Sequence, residues 1–438
     1  MTSGLSWGSI LRLGLVHSAM GAVVVMMIST LNRVMVVELA LPALVPGVLI
    51  GINHAVQVLR PAFGHGGDVA GKRTPLIIAG MAMLSAGGFV AACGVSLGAS
   101  LPGLALCVVG FLAVGLGAAS SGTSVLTLLA TGVAPSRRAA AATLVWVMMI
   151  FGFAATAPIA GHFLKPYSPQ RLLEVMAAVS CAAFALSMIA VAGVEKRLVA
   201  PAAAPAHRSF KGALAEVWAD HEARQFTVFI FVSMLAYSMQ ELLVEPYAGL
   251  VFSMPPDVTT KLAGVQHGGV LIGMILVASI ASGIGGRRLG SLRGWTMVGC
   301  FASAAALLGL AASGGFGANP LALRSFVGAL GFSNGVYAVA AIGSMMGLAT
   351  AGARGREGAR MGLWGAAQAI AFAVGGVIGT GLVDIARHTG ASPLHAYGMV
   401  FVIEAAAFVV AAEMARRLGS AAPAAQGTAP EGALTAQS

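Results

Sequence analysis

Charge is what this chain has least of. Only 9% of its 438 residues are Asp, Glu, Lys or Arg, against about 25% in soluble domains. That scarcity excludes a water-exposed globular surface. With 58% hydrophobic residues and a mean hydropathy of +0.89, the bilayer is the remaining solvent. Aromatics are also few, at 7%, while glycine is abundant, at 59 residues, a composition suited to helices that approach through small side chains. The four cysteines, Cys93, Cys107, Cys181 and Cys300, lie in apolar runs without metal-ligand spacing and read as small buried hydrophobes. No Walker loop, dinucleotide fingerprint or paired-cysteine metal site is present, so no catalytic residue is expected. The first apolar stretch outruns a signal peptide and lacks a cleavage site, so no cleavable leader is expected. The net charge of +10 comes from Lys and Arg in short loops, a topology signal rather than a nucleic-acid patch.

What is there is a series of apolar runs of about 20 residues, the length that crosses the hydrocarbon core. The expected spans are 10–36, 42–62, 75–97, 102–131, 139–163, 172–194, 225–252, 261–283, 294–313, 320–350, 360–385 and 393–415. Twelve spans place nineteen of the 25 Lys and Arg on the side of the N-terminus and six on the other, which predicts cytoplasmic termini. The expected organisation is a six-helix half over 1–194, a linker over 195–224, a second six-helix half over 225–417 and a disordered tail over 418–438. In the linker, Phe210, Leu214, Val217 and Trp218 share a helical face, which fits either a short interfacial helix or a plain connection. The halves echo each other. "GVLIG" occurs at 47–51 and 269–273, and Arg138, Trp146 and Gly161 recur as Arg356, Trp364 and Gly379, each 218 residues later. Two parallel six-helix repeats describe the major facilitator architecture, an all-α membrane fold.

The loop "GHGGDVAGKR" resembles the signature of that superfamily between its second and third spans. Gly64 and Gly71 permit a tight turn, Asp68 can oppose a positive helix end, and Lys72 and Arg73 can anchor at an anionic leaflet. The resemblance implies a conformational latch. Charges at membrane depth are rarer and cost at least about 2.5–3.5 kcal/mol each on insertion scales. "SMQELLVEPYAGLVF" carries Gln240, Glu241 and Glu245, and "STLNRVMVVELALP" carries Asn32, Arg33 and Glu38. The two stretches align in the repeat, and the spans that hold them face each other across the central cavity. Arg33 is therefore expected to pair with Glu241 or Glu245. A structural ion pair, a ligand site and a proton-coupling carboxylate are all open readings. The span "GINHAVQVLRP" is unusually polar, with Asn53, His54, Gln57 and Arg60 as candidate pigment contacts, because a neutral imidazole can ligate a chlorin magnesium.

"TLNRVMVVELALPALVPG" (30–47) and "QELLVEPYAG" (240–249) closely resemble the PucC family of purple phototrophic bacteria, over essentially all twelve spans. "VQVLRPAFGHGGDVAGKRTP" (56–75) looks most like the branch encoded among bacteriochlorophyll biosynthesis genes, and less like the PucC and LhaA branches. The resemblance implies a factor in a photosynthetic inner or intracytoplasmic membrane. It would deliver bacteriochlorophyll, or a prenylated precursor, as a bound ligand to antenna polypeptides or between synthesis enzymes. A synthase label attached to that branch implies prenyl transfer, which needs Asp-rich magnesium-diphosphate motifs that this sequence lacks. The competing expectations are a proton-coupled carrier of a small metabolite and a scaffold without transport.

Overall fold

The computed structural model describes residues 5–60, 62–63, 72–134, 137–195, 218–219, 221–281, 290–315, 319–351 and 357–417. Those residues are helical almost throughout. In chain order the helices are α1 (Trp7–Val25), α2 (Leu44–Ala55), α3 (Thr74–Ser96), α4 (Leu101–Gly132), α5 (Arg138–Phe163), α6 (Pro169–Val191), α7 (His221–Glu241), α8 (Val244–Phe252), α9 (Pro256–Ala281), α10 (Leu292–Ser313), α11 (Pro320–Ala351), α12 (Glu357–His388) and α13 (Pro393–Arg417). Two π-helical stretches, Met26–Leu31 and Val34–Glu38, continue α1. The first crossing thus runs to Glu38, and α7 with α8 makes another. Eleven crossings among the described residues are long and apolar enough for a bilayer, and Leu44–Leu59 is a shorter twelfth. Prolines explain the short one: Pro42 and Pro46 sit at its start, and Arg60-Pro61 follows its end. The possible interfacial helix at 210–218 lies almost wholly outside the described residues, as does the tail.

Local chemistry sets the helix starts. Ser6, Ser100, Ser168 and Ser291 are each N-caps whose hydroxyl accepts from the backbone N–H three residues on. Close packing then follows from glycine spacing. Gly80, Gly87 and Gly94 on α3 meet Gly117, Gly110 and Gly103 on antiparallel α4. The seven-residue step is two helical turns, so all six glycines share one seam. A Cβ at Gly110 would lie 2.6 Å from the Ala91 nitrogen, and one at Gly117 would lie 2.4 Å from the Gly80 carbonyl oxygen. Backbone touches backbone along this seam.

One apolar core gathers α1 to α6 and extends over the seam to Leu242, Ala263, Val270 and Met274. A second gathers α7 to α13. The bundles join where α5 packs on α9 and where α2 packs on α12. Gly161 closes the first seam against the Asp257 carbonyl, and Gly47 and Gly51 close the second against Thr380 and the Ala373 carbonyl. The face where α1 begins is called here the near face, and the face where that crossing ends is the far face.

Candidate functional site between the two bundles

The first crossing supplies one wall of the site through its change of helical pitch. A π-turn brings residues five apart onto one side, which places Arg33 directly under Glu38. These two form an ion pair, and the expected partnership of Arg33 with Glu241 or Glu245 is not the one observed. The guanidinium does reach the second bundle, but it donates to the Met254 carbonyl at 2.6 Å. An α-helical reading of the sequence puts residues 33 and 38 on diverging faces, so only the altered pitch reveals the pair.

The opposite wall is made by a broken helix. Pro246 has no N–H and its ring excludes the carbonyl four residues back, so the Leu242 carbonyl leaves the helical ladder and α7 stops at Glu241. Pro246 follows both carboxylates in the sequence, yet the break falls between them. Asn32 takes up the freed group, donating from Nδ2 to the Leu242 carbonyl at 2.9 Å. Next to it, Thr30 and Thr260 share a 2.9 Å hydroxyl hydrogen bond between bundles. The break also separates the acids. Glu245 is buried beside Ser29 and Arg33, while Glu241 turns back toward Tyr237. Gln240 is fully buried, and among the described residues neither of its amide atoms has a partner, nor do Asn32 Oδ1, Arg33 Nε and Glu245 Oε2. Buried polar atoms in a bilayer need partners. This cluster therefore suits ordered water or a polar ligand group.

The two crossings end alike. Leu41 N–H bonds the Met35 carbonyl at 3.0 Å and Met254 N–H bonds the Ala248 carbonyl at 3.3 Å, with Ala40 and Ser253 at positive φ. Both helix ends close through a left-handed residue with a backbone bond that reaches six residues back, one residue wider than a Schellman stop. Beyond them Asp384, at the end of α12, accepts from the backbone N–H groups of Ala43 at 3.0 Å and Leu44 at 2.7 Å. A carboxylate from the second bundle thus caps α2 of the first, where the helix dipole favours negative charge. Its sequence signal was an acid closing an apolar span, but its partner is 340 residues away. Asp384→Ala is expected to cost about 1 kcal/mol. It should also lengthen far-face distances between spin labels on α2 and α12, because this cap holds the bundles together there.

About 15–18 Å below the far face, counting 1.5 Å per residue from Leu44, Asp384, Pro256 and Phe163, lies a second layer. His54 of α2 meets Phe372 of α12 with ring centroids 5.4 Å apart, and Phe372 meets Tyr237 of α7 at 5.8 Å. Tyr237 leads to Glu241. Across the other seam, His267 of α9 meets Phe153 of α5 edge-on at 4.8 Å. In a hydrocarbon core about 30 Å thick, both His–Phe pairs sit near the midplane. Single aromatics spaced more than 100 residues apart left no trace of this in the sequence. The remaining span-two candidates form a ladder toward the near face: Asn53 donates to the Phe111 carbonyl at 3.1 Å, Gln57 to Asn53 at 3.4 Å, and Arg60 to Gln57. They steady α2 on α4.

Of the latch residues, Gly64, Asp68 and Gly71 lie outside the described residues. Lys72 and Arg73 lead into α3, whose start is capped by Glu195, at the end of the first bundle. Glu195 accepts from the N–H groups of Arg73 at 2.5 Å and Thr74 at 2.7 Å. Burial pushes this carboxyl up, but the Thr74 hydroxyl, the two N–H groups and the Arg73 charge outweigh it and hold the pKa below the ordinary value. A lowered pKa contributes stability at neutral pH that is lost as pH falls through the folded value. Glu195→Gln is expected to cost about 0.5–1 kcal/mol at pH 7 after screening. Melting temperatures of the two proteins should converge as the pH falls below the folded value.

Two other features bear on chemistry. Gly94-Val95-Ser96-Leu97-Gly98 spells Gly-x-Ser-x-Gly, as do residues 331–335 inside α11, although the sequence is expected to carry no nucleophile elbow. Ser96 closes a membrane helix, however, and donates to the Cys93 carbonyl at 2.8 Å. A nucleophile elbow needs a strand before it. Glu404 is fully buried on the face of α13 that carries Phe401 and Phe408, and among the described residues neither carboxyl oxygen has a hydrogen-bond partner. Among the described residues no group of three or more His, Cys, Asp or Glu could hold a metal.

Comparison with known proteins was made against this geometry. A family model described as "PUCC protein" matches residues 30–422. The chain is 50% identical over 414 residues to the "Bacteriochlorophyll synthase 44.5 kDa chain" of Rhodobacter capsulatus, covering 94% of this chain and 95% of that one. It is 30% identical to "Protein PucC" of Cereibacter sphaeroides, over 90% and 88% of the two chains. Among solved structures, the nucleoside transporter NupG superposes with a TM-score of 0.66 at 12% identity, over 94% and 98% of the chains. A bacterial homologue of the human lysosomal transporter Spinster, inward-facing and unoccupied, gives 0.64 at 14% identity, over 94% and 96%. At such identities the structures establish shared fold alone.

Proposed function

The chain belongs to the PUCC protein family and has the twelve-helix major facilitator fold, and we propose that it handles bacteriochlorophyll or a prenylated precursor inside the membrane during pigment synthesis and light-harvesting assembly. The relative at 50% identity supports this setting through its name. The observation that carries the reading is the midplane layer. His54, Phe372, Tyr237 and Glu241 bring an imidazole, two aromatic rings and a carboxyl together across the seam between bundles. Sites of this fold lie at the midplane between repeats. Imidazole suits a chlorin magnesium, aromatic faces suit a flat macrocycle, and the carboxyl or phenol suits its peripheral carbonyls. The pigment, antenna polypeptides and synthesis enzymes are the proposed ligand and partners. The proposed location is an inner or intracytoplasmic membrane with both termini cytoplasmic. No catalytic step is assigned to this chain, and any link to prenyl transfer runs through a partner enzyme.

A strain lacking the gene should show weakened antenna absorption bands or accumulated pigment precursors on extraction. Normal spectra and normal precursor pools would reject the role. The carrier alternative draws on the buried Glu245 and Glu404 carboxyls and on the fold shared with solute transporters. It predicts uptake of a water-soluble solute by proteoliposomes under a proton gradient, without bound pigment.

A further inference from the structure

On the outer flank of the first bundle, α5 and α6 both rest on α1 and splay apart, leaving a groove of about 550 Å³. Its volume falls within the usual range of small-molecule sites, about 300–1,000 Å³. The floor is small: Ala19 and Ala22 of α1, Gly152 and Ala155 of α5, and Ala178 and Ala182 of α6. Its walls are aliphatic and aromatic. From Arg171 to Leu186 it follows α6 for about 22 Å, enough for the ~15 Å that an acyl chain spans in one leaflet plus its polar end. The tight contact of α1 with α5, where Gly152 meets the Ser18 carbonyl, separates this groove from the midplane layer. The occupant must therefore arrive from the lipid.

The far-face end of the groove is charged. Arg171, in the first turn of α6, stands 3.9 Å from Glu174, and both are solvent-exposed in part. The Arg171 guanidinium makes no hydrogen bond among the described residues, and one Glu174 oxygen accepts from Gln170 at 3.1 Å. A loosely held cation and anion side by side at headgroup level complement a ligand that carries an anion and a cation itself. An arginine prefers a phosphate, and a carboxylate with free acceptor sites prefers an ammonium that can donate. A bare hydrocarbon or a neutral isoprenoid would use neither charge.

We propose that this groove is a specific site for a zwitterionic phospholipid with a primary ammonium headgroup. One acyl chain lies between α5 and α6, the phosphate rests on Arg171 and the ammonium on Glu174. The site is independent of the pigment role.

The test is native mass spectrometry of the full chain, purified in mild detergent and supplied with phosphatidylethanolamine or phosphatidylglycerol. Wild-type protein is expected to retain one phosphatidylethanolamine and to prefer it at least about tenfold over phosphatidylglycerol. Ala178→Trp fills the floor and should abolish the bound lipid. Arg171→Gln and Glu174→Gln should each retain lipid but lose the headgroup preference. If Ala178→Trp fails to fold, Ala182→Phe tests the same floor, and the wild-type headgroup competition stands without either. Equal retention of both lipids, or retention unaffected by filling the floor, would mean annular lipid only and would overturn the proposal. So would occupation by a neutral isoprenoid in place of phospholipid.

Discussion

Gly110→Val is expected to abolish the folded protein, cutting membrane accumulation of monodisperse chain by tenfold or more. The new Cβ would stand 2.6 Å from the Ala91 nitrogen and 2.7 Å from the Gly87 carbonyl oxygen. Overpacking against side chains costs about 1–3 kcal/mol because rotamers can yield. Here the obstacle is backbone, so α3 and α4 must part along the whole glycine seam, and a cost above about 3 kcal/mol follows. Separation would also open the Asn53–Phe111 hydrogen bond, which ties α2 to α4. Gly268→Ala is the control. Nothing lies within 4 Å of its new methyl, and a helical Gly→Ala change is neutral or stabilising by up to about 1 kcal/mol. Fluorescence-detected size exclusion and thermal melts separate the two outcomes, and a well-folded Gly110→Val protein would refute the backbone-contact account.

The second large effect concerns the midplane. His54→Phe is expected to reduce pigment co-purifying with the protein by about tenfold, about 1.4 kcal/mol, with little change in melting temperature. The substitution keeps a ring against Phe372, so the stacking energy of about 0.5–1.5 kcal/mol is largely retained while the ligating nitrogen is lost. Glu241→Leu should lower retention as well, since it removes the carboxyl beside Tyr237. Unchanged pigment content in His54→Phe would show that the imidazole packs without ligating. Loss of pigment only in variants that also unfold would leave the midplane layer with a structural role alone.

Local chemistry makes the polar residues between the bundles visible in the sequence. Asn32, Arg33, Gln240 and Glu245 stood out because polar groups are costly at membrane depth, and the structure gathers all four at one place between the bundles. Their partners did not follow. Arg33 turned to Glu38 because the helix changes pitch, and pitch depends on backbone hydrogen bonds that composition does not encode. Pro246 announced a break, yet its position four residues upstream matters only because Asn32 is there to accept the consequence. Asp384 and Glu195 each stand at the end of a span in the sequence. Both are caps on helices of distant sequence.

Hydropathy determined the number of crossings, because each crossing depends on residues within a few turns of one another, and recurrence at a fixed interval of 218 residues marked the twofold repeat. The family resemblance was carried by two stretches of contiguous residues and needed no fold. Only the tertiary structure decided which polar groups satisfy one another, and which aromatic rings share the midplane. It alone showed that a charged pair crowns a lipid-facing groove. Those outcomes turn on the rotation of each helix about its axis, which close backbone contact selects and which a few ångströms of displacement would reverse.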